Sequence, residues 1–324
     1  MRRRYAALRV WPRRPEPAPR LPNTIDDPDT AMAHAKPEQD PDLYFVPHDS
    51  KWPVFASVAL FVTMLGLASW FNEASWGRPT FFVGIAVLAL ILFKWFADVV
   101  LESVSGYYNK QVDLSFRMGM VWFIFSEIMF FAAFFGALFY ARTLSLPWLG
   151  GEGSGAMTNA VLWDGYSAAW PSAGPGDVGG AFQTIPAWGL PLLNTLILLA
   201  SGITITIAHH ALRAAHRTQL LVFLGATILL ACVFLFFQAE EYVHAYRDLN
   251  LTMGSGIYGS TFFMLTGFHG AHVTLGTIML IVIWLRCYRG HFNKENHFAF
   301  EAVAWYWHFV DVVWLILFLF VYVV

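Results

Sequence analysis

Charge is scarce in this chain of 324 residues: Asp, Glu, Lys and Arg make up 13%, about half the share of a soluble domain. The net charge is −2, so no basic footprint draws nucleic acid. Cysteine is almost missing. Its two copies, Cys232 and Cys287, sit inside apolar segments, which excludes a disulfide framework and a Cys-x-x-Cys metal site; both read as core residues. There is no nucleotide-binding glycine loop, no Gly-x-Ser-x-Gly and no His-Glu-x-x-His, so the common soluble enzyme classes lose their signatures. No inverted repeat with two broken helices stands out, which weakens a transporter reading. What the chain does have is hydrophobic residues at 57% and aromatics at 17%, with 30 Phe and 14 Trp. Disorder is excluded for the bulk of it, and a multi-span integral membrane protein is what remains.

Residues 1–52 differ from the rest. They are rich in Pro, Arg, Asp and Glu and carry no apolar period, which predicts a disordered cytoplasmic tail. The basic start lacks the apolar core of a secretory signal. Met32 opens Met-Ala-His-Ala-Lys, a more ordinary start for a membrane protein, so residues 1–31 are expected not to be translated. From Trp52 onward, apolar runs of spanning length recur, each near the ~20 residues a bilayer asks for. Seven helices are predicted, over about 53–71, 80–102, 116–140, 190–211, 220–242, 257–285 and 298–324. The runs are too long and too unalternating for a β-barrel. The Gly- and Pro-rich stretch 143–188 reads as a loop outside the bilayer.

Lys and Arg set the orientation. With the N-terminus inside, the inner segments hold Lys36, Lys51, Lys110, Arg213, Arg217, Arg286, Arg289 and Lys294, and the outer ones only Arg78, Arg142 and Arg247. The C-terminus then lies outside, which in a bacterial inner (cell) membrane means cytoplasmic N-terminus and periplasmic C-terminus.

The chemistry must come from ionisable groups within the runs, which are expensive in lipid and face protein. Glu127 lies eleven residues into the third run, roughly 16 Å deep at 1.5 Å per residue, near the midplane. It reads either as a proton-relay carboxylate or as a neutral Glu that hydrogen-bonds a neighbouring helix. Glu241 and His244 form a Glu-x-x-His pair of the kind used in di-iron bundles, but the spans hold no second one. His269 and His272 share one face of the sixth run; paired histidines on a second helix, as bis-His haem ligation needs, are absent. Glu301, His308 and Asp311 fall within roughly 80° on the last run, one polar stripe that suits a structural hydrogen-bond network. No catalytic residue and no metal set is read from these groups. At the inner boundary, Lys94, Asp98 and Glu102 end the second run, and Arg286, Arg289 and His291 follow the sixth; such groups either hold phospholipid head groups or snorkel.

These segments resemble subunit III of the haem-copper cytochrome c oxidases. The most specific piece is Phe300-Glu301…Trp305-Tyr306-Trp307-His308-Phe309-Val310-Asp311-Val312-Val313-Trp314. Ser126-Glu127-Ile128-Met129-Phe130-Phe131, Ala208-His209-His210-Ala211, Phe237-Gln238-Ala239-Glu240-Glu241-Tyr242 and Gly267-Phe268-His269-Gly270-Ala271-His272 support it in order and spacing. The resemblance implies an all-α membrane fold in which a two-helix and a five-helix bundle flank a V-shaped lipid cleft. It implies the accessory subunit of a proton-pumping terminal oxidase that passes electrons from cytochrome c to oxygen in aerobic respiration. Such a subunit carries no cofactor of its own beyond structural phospholipids. Haem a and copper lie in partner subunits. It packs directly on subunit I, sustains proton uptake and shares the complex with subunit II; cytochrome c is an indirect partner and nucleic acid none. Positions matching the family's lipid contacts are Trp95, Phe96, Glu102, Phe123 and Arg286, and Glu127 matches a buried carboxylate known for reacting with carbodiimide. Tyr107-Tyr108-Asn109 departs from the family, which often has a His there; Phe96 stands where Trp is common; the 143–188 loop looks long. Two other readings stay open: subunit III of a quinol oxidase, and a stand-alone membrane carrier or metalloenzyme using Glu241, His244, His269 and His272.

Overall fold

The structure is a computed structural model that describes residues 44–47, 50–294 and 296–323; the expectations for residues 1–43, including the start at Met32, lie outside them. Among the described residues it is all helical, with seven helices long and apolar enough to cross a membrane. They are α1 (Trp52–Phe71), α2 (Gly77–Ser105), α3 (Lys110–Tyr140), α4 (Leu190–Arg213), α5 (Arg217–Asp248), α6 (Gly256–Tyr288) and α7 (Phe298–Leu317). The chain forms two compact units, Met1–Phe116 and Arg117–Val324.

The first unit is a hairpin of α1 and α2. Small residues make it possible. A Cβ on Gly66 would fall into the Phe81 backbone, and one on Gly84 would lie 2.8 Å from the Thr63 Cα. The two backbones therefore touch, as membrane helices do where Gly and small residues face each other. Pro53 sits in the first turn of α1, where a missing N–H costs nothing. At the open end, Trp52 Nε1 donates to Asp98 Oδ2 at 2.8 Å. Gly106, at φ 79°, ends α2, and the Tyr107 N–H reaches back to the Glu102 carbonyl at 3.2 Å, a left-handed cap. The Asn109 side chain then accepts from the N–H of Gln111 and Val112 at 3.1 and 2.9 Å and starts α3.

The second unit holds most of α3 and all of α4–α7. Its last span, α7 with the π-helical turn Phe318–Val323, is its hub: about half of it is buried, whereas α3 is mostly exposed. Trp307, Trp314 and Tyr306 are fully buried. Each buried indole finds an acceptor, as it must: Trp307 Nε1 donates to Ser201 Oγ and Trp314 Nε1 to Thr195 Oγ1, both at 2.9 Å and both on α4. Hydroxyls also join α4 to α5, with Thr204 Oγ1 2.8 Å from Thr227 Oγ1.

The helices overrun the apolar stretches that predict them. The fifth extends to Asp248 where hydropathy ends near Tyr242, because a helix continues through the head-group layer until something caps it. The stretch 143–188 is not all loop. Helix continues past α3 through Ala141–Ser145 to Leu149, and Ala156–Leu162 is helical too. Asn159 Nδ2 fastens this part to the carbonyls of Leu149 and Tyr166 at 2.9 and 3.0 Å. The remainder lies over the α5–α6 turn: Gln183 N–H donates to the Leu249 carbonyl at 2.9 Å, and Phe182 stacks on Tyr258.

Candidate functional site: paired polar groups between helices

Each ionisable group that the sequence singles out inside the bundle has its own local partner. Glu127 on α3 meets His272 on α6, Oε2 to Nε2 at 3.0 Å. His272 Nδ1 lies 2.6 Å from the Phe268 carbonyl, so Nδ1 carries a hydrogen. A further single proton must then sit between Nε2 and Oε2, since two bare acceptors would repel. The pair is a one-proton site. Phe130 and Phe131 lie beside the imidazole with ring centroids within 5.9 Å, and the Tyr306 hydroxyl donates to the His272 carbonyl at 3.3 Å.

The stripe on α7 divides. His308 and Asp311 pair with each other, Nδ1 to Oδ2 at 3.4 Å, and His308 Nε2 stands 3.2 Å from Thr206 Oγ1 on α4. Glu301, two turns earlier, belongs to another cluster. Its Oε2 accepts from the Arg117 guanidinium on α3. Its Oε1 faces Nε2 of His297 at 3.0 Å and of His209 at 3.6 Å. Arg117, His209 and His297 were not singled out from sequence as site residues; positions 209 and 297 flank different loops, and nothing local pairs them. The spacing His297…Glu301, one helical turn, was the only available signal.

Glu241 and His244 part company. Glu241 is buried and accepts from the Tyr322 hydroxyl at 2.5 Å, whereas His244 is exposed and meets Asp248 at 2.7 Å. His269 is buried, with Nε2 3.2 Å from the Val310 carbonyl. The four residues of the metalloenzyme alternative thus have four separate sets of partners.

The boundary residues are placed as follows. Phe96 is exposed and Trp95 half-buried. Glu102 accepts from the Tyr108 hydroxyl at 2.7 Å. Burial, and then the Glu102 carboxylate, pushes the Tyr108 phenol above its ordinary pKa, so Tyr108 stays a donor at any working pH. That hydrogen bond is what the departure at Tyr107-Tyr108-Asn109 produces. Phe123 stacks on Tyr306 at 6.2 Å. Arg286 is buried with its guanidinium 4.4 Å above the Phe292 ring, and its Nε has no protein partner. Its neighbour His291 has its pKa lowered, first by burial and then by Arg286 and Arg289.

The family model described as Cytochrome c oxidase subunit III matches residues 42–161 and 163–324. Curated relatives named "Cytochrome c oxidase subunit 3" agree: the one from Marchantia polymorpha is 40% identical over 84% of this chain and 93% of its own. That from Gadus morhua is 40% identical over 90% and 98%, and that from Pongo abelii 41% over 86% and 96%. The chain belongs to the cytochrome c oxidase subunit III family.

Proposed function

We propose that this chain is the non-redox accessory subunit of a proton-pumping terminal oxidase that takes electrons from cytochrome c. It braces the catalytic subunit I, sustains proton uptake there, and binds phospholipid. Haem a and copper belong to its partner subunits. The membrane is a bacterial inner membrane, with the N-terminus cytoplasmic and the C-terminus periplasmic.

The observation that carries this reading is the dispersal of the polar groups. Glu127–His272 ties α3 to α6, Glu301–Arg117 ties α3 to α7, and His308–Thr206 ties α7 to α4. Groups spent in this way stabilise one arrangement of helices; they do not converge on a reacting atom. The relatives' name, cytochrome c oxidase subunit 3, supports the reading of an oxidase assembly with cytochrome c as its donor. For lipid, Trp95, Phe96 and Glu102 in the first unit and Phe123 and Arg286 in the second supply aromatic and charged groups of the kind that hold phospholipid, and the buried Arg286 Nε has no protein partner.

Affinity purification of the tagged chain from detergent-solubilised membranes tests the assembly. The expected result is a haem a spectrum with subunits I and II identified by peptide mass among the co-purifying chains. A stable solitary particle with stoichiometric iron or copper would overturn it. Native mass spectrometry tests the lipid contact: Arg286→Ala is expected to lower the retained phospholipid by one per chain, and an unchanged lipid count rejects Arg286 as a ligand.

A further inference from the structure

Two histidines and one carboxylate from distant parts of the chain meet without hydrogen-bonding one another. His209 (α4), His297 (just before α7) and Glu301 (first turn of α7) each aim one ligand atom into the same space, all within 4.8 Å of each other. His297 Nδ1 lies 3.1 Å from the Asn293 carbonyl, so its hydrogen is on Nδ1 and its Nε2 carries a bare lone pair. That Nε2 is 3.0 Å from Glu301 Oε1, yet the pair lacks hydrogen-bond geometry and Nε2 has no partner. His209 Nε2, 3.6 Å from the same oxygen, is also buried and without a partner. His297 is more than nine-tenths buried. Neutral imidazole nitrogens this close to a carboxylate oxygen repel it unless a cation lies between them, and neither nitrogen meets Glu301 Oε1 in hydrogen-bond geometry.

We propose that His209, His297 and Glu301 bind a divalent transition metal, Zn²⁺ in the first instance. Zinc–ligand bonds of about 2.0–2.1 Å in a tetrahedron put ligand atoms about 3.3 Å apart, between the two separations observed. A set of two imidazole nitrogens and one carboxylate oxygen suits zinc. The surroundings are those of a built site. The backbone carbonyl of Asn293 fixes the His297 tautomer, as outer-shell acceptors do for metal-bound histidines. Arg117 holds the other oxygen of Glu301 and leaves Oε1 for the metal. His209 keeps a quarter of its side chain exposed, with a value of 26%, which gives the ion a way in. Arg117 and Arg213, one turn beyond His209, add positive charge, so the fourth position takes water or an anion. Bound zinc would join the end of α4 to the start of α7, where the Glu301–Arg117 pair already joins α7 to α3.

The test uses the assembled complex as purified, stripped with a mild chelator and then given Zn²⁺ alone. Zinc per mole of this chain is counted in the wild type, in His209→Gln and in His297→Gln. Each variant is expected to lose one zinc, or to bind it at least about tenfold more weakly. Anomalous scattering at the zinc edge from the wild-type complex should show a peak among the three side chains. Equal zinc in all three proteins overturns the proposal, as does an anomalous map with no peak there; the map decides the matter alone where a variant does not assemble. Neither readout depends on oxidase activity, so the zinc site and the oxidase assignment stand or fall separately.

Discussion

At the scale of single residues, two groups make distinct predictions. The Glu127–His272 pair holds one proton whichever atom carries it. Replacing Glu127 by Gln keeps a hydrogen-bond donor for Nε2, so the complex is expected to assemble and turn over oxygen at a modestly reduced rate. Complete loss of oxygen consumption in a fully assembled Glu127→Gln complex would instead make this proton indispensable to turnover. A double-mutant cycle with His272→Gln should give a coupling of about 1 kcal/mol in thermal stability. His291 acts through pH. Its pKa is lowered in the fold by burial and by the cations of Arg286 and Arg289, so the unfolded turn binds a proton more readily than the folded one. Stability therefore rises with pH from the lowered value up to about 6.5, the free-histidine value, and is fully present above that. With the intrinsic pH dependence of exchange divided out, the protection factors of the 289–294 turn should fall as pH falls through this window. His291→Asn should remove that pH dependence; an unchanged profile would assign it to another group.

At the scale of elements, the α1–α2 hairpin rests on backbone contact at its glycines, with Trp70 packed on Phe81 and Phe82 at its turn end. A side chain at Gly84 would press within 2.8 Å of the Thr63 Cα, and neither helix can move without losing the rest of the seam. Gly84→Val is expected to destabilise the hairpin by about 3 kcal/mol or more, read as faster proteolysis between Phe71 and Gly77 and a lower yield of complex. Wild-type resistance in that variant would mean that the seam is looser than its glycines indicate. This hairpin also shows what the sequence carries. The seven helices were legible because a bilayer demands ~20 apolar residues per span, and the glycines mark where two helices touch. Helix ends were less legible: the caps at Gly106 and Asn109 lie outside the apolar runs, and hydropathy reports burial in lipid, not hydrogen bonding. Least legible were the long-range pairs. Arg117 and Glu301 are separated by 184 positions, and no local pattern announces that they meet. The division of the Glu301/His308/Asp311 stripe had the same cause. Helical phase places all three on one face, but which neighbour lies opposite each turn is decided by the packing of α3 and α4.

At the scale of the whole molecule, charge asymmetry sets orientation, and the fold gives it sites where it can be measured. The segments at one end of the spans carry Lys51, Lys110, Arg213, Arg217, Arg286 and Arg289, while the other end has Arg78, Arg142, Arg247 and a long segment with Glu152, Asp164 and Asp177. The positive-inside rule weighs short loops near the spans most heavily, and the basic end has them: α4 and α5 are joined by residues 214–216 alone. The loop 163–189 carries no Lys or Arg, as that rule asks of an outer segment, and its packing on the α5–α6 turn through Gln183 and Phe182 fixes it to the end opposite the basic one. Native thiols interfere little: Cys287 is a core residue as expected, and Cys232, exposed on α5 rather than in the core as its sequence suggests, lies mid-span, out of reach of a membrane-impermeant reagent. Single-cysteine labelling therefore reports orientation cleanly. With a membrane-impermeant maleimide added to intact spheroplasts, a cysteine at Gly176 is expected to react at once, and a cysteine at Lys110 only after the membrane is opened. The reverse order would invert the chain in the membrane, moving the Arg117–Glu301 cluster and its proposed zinc to the outer face.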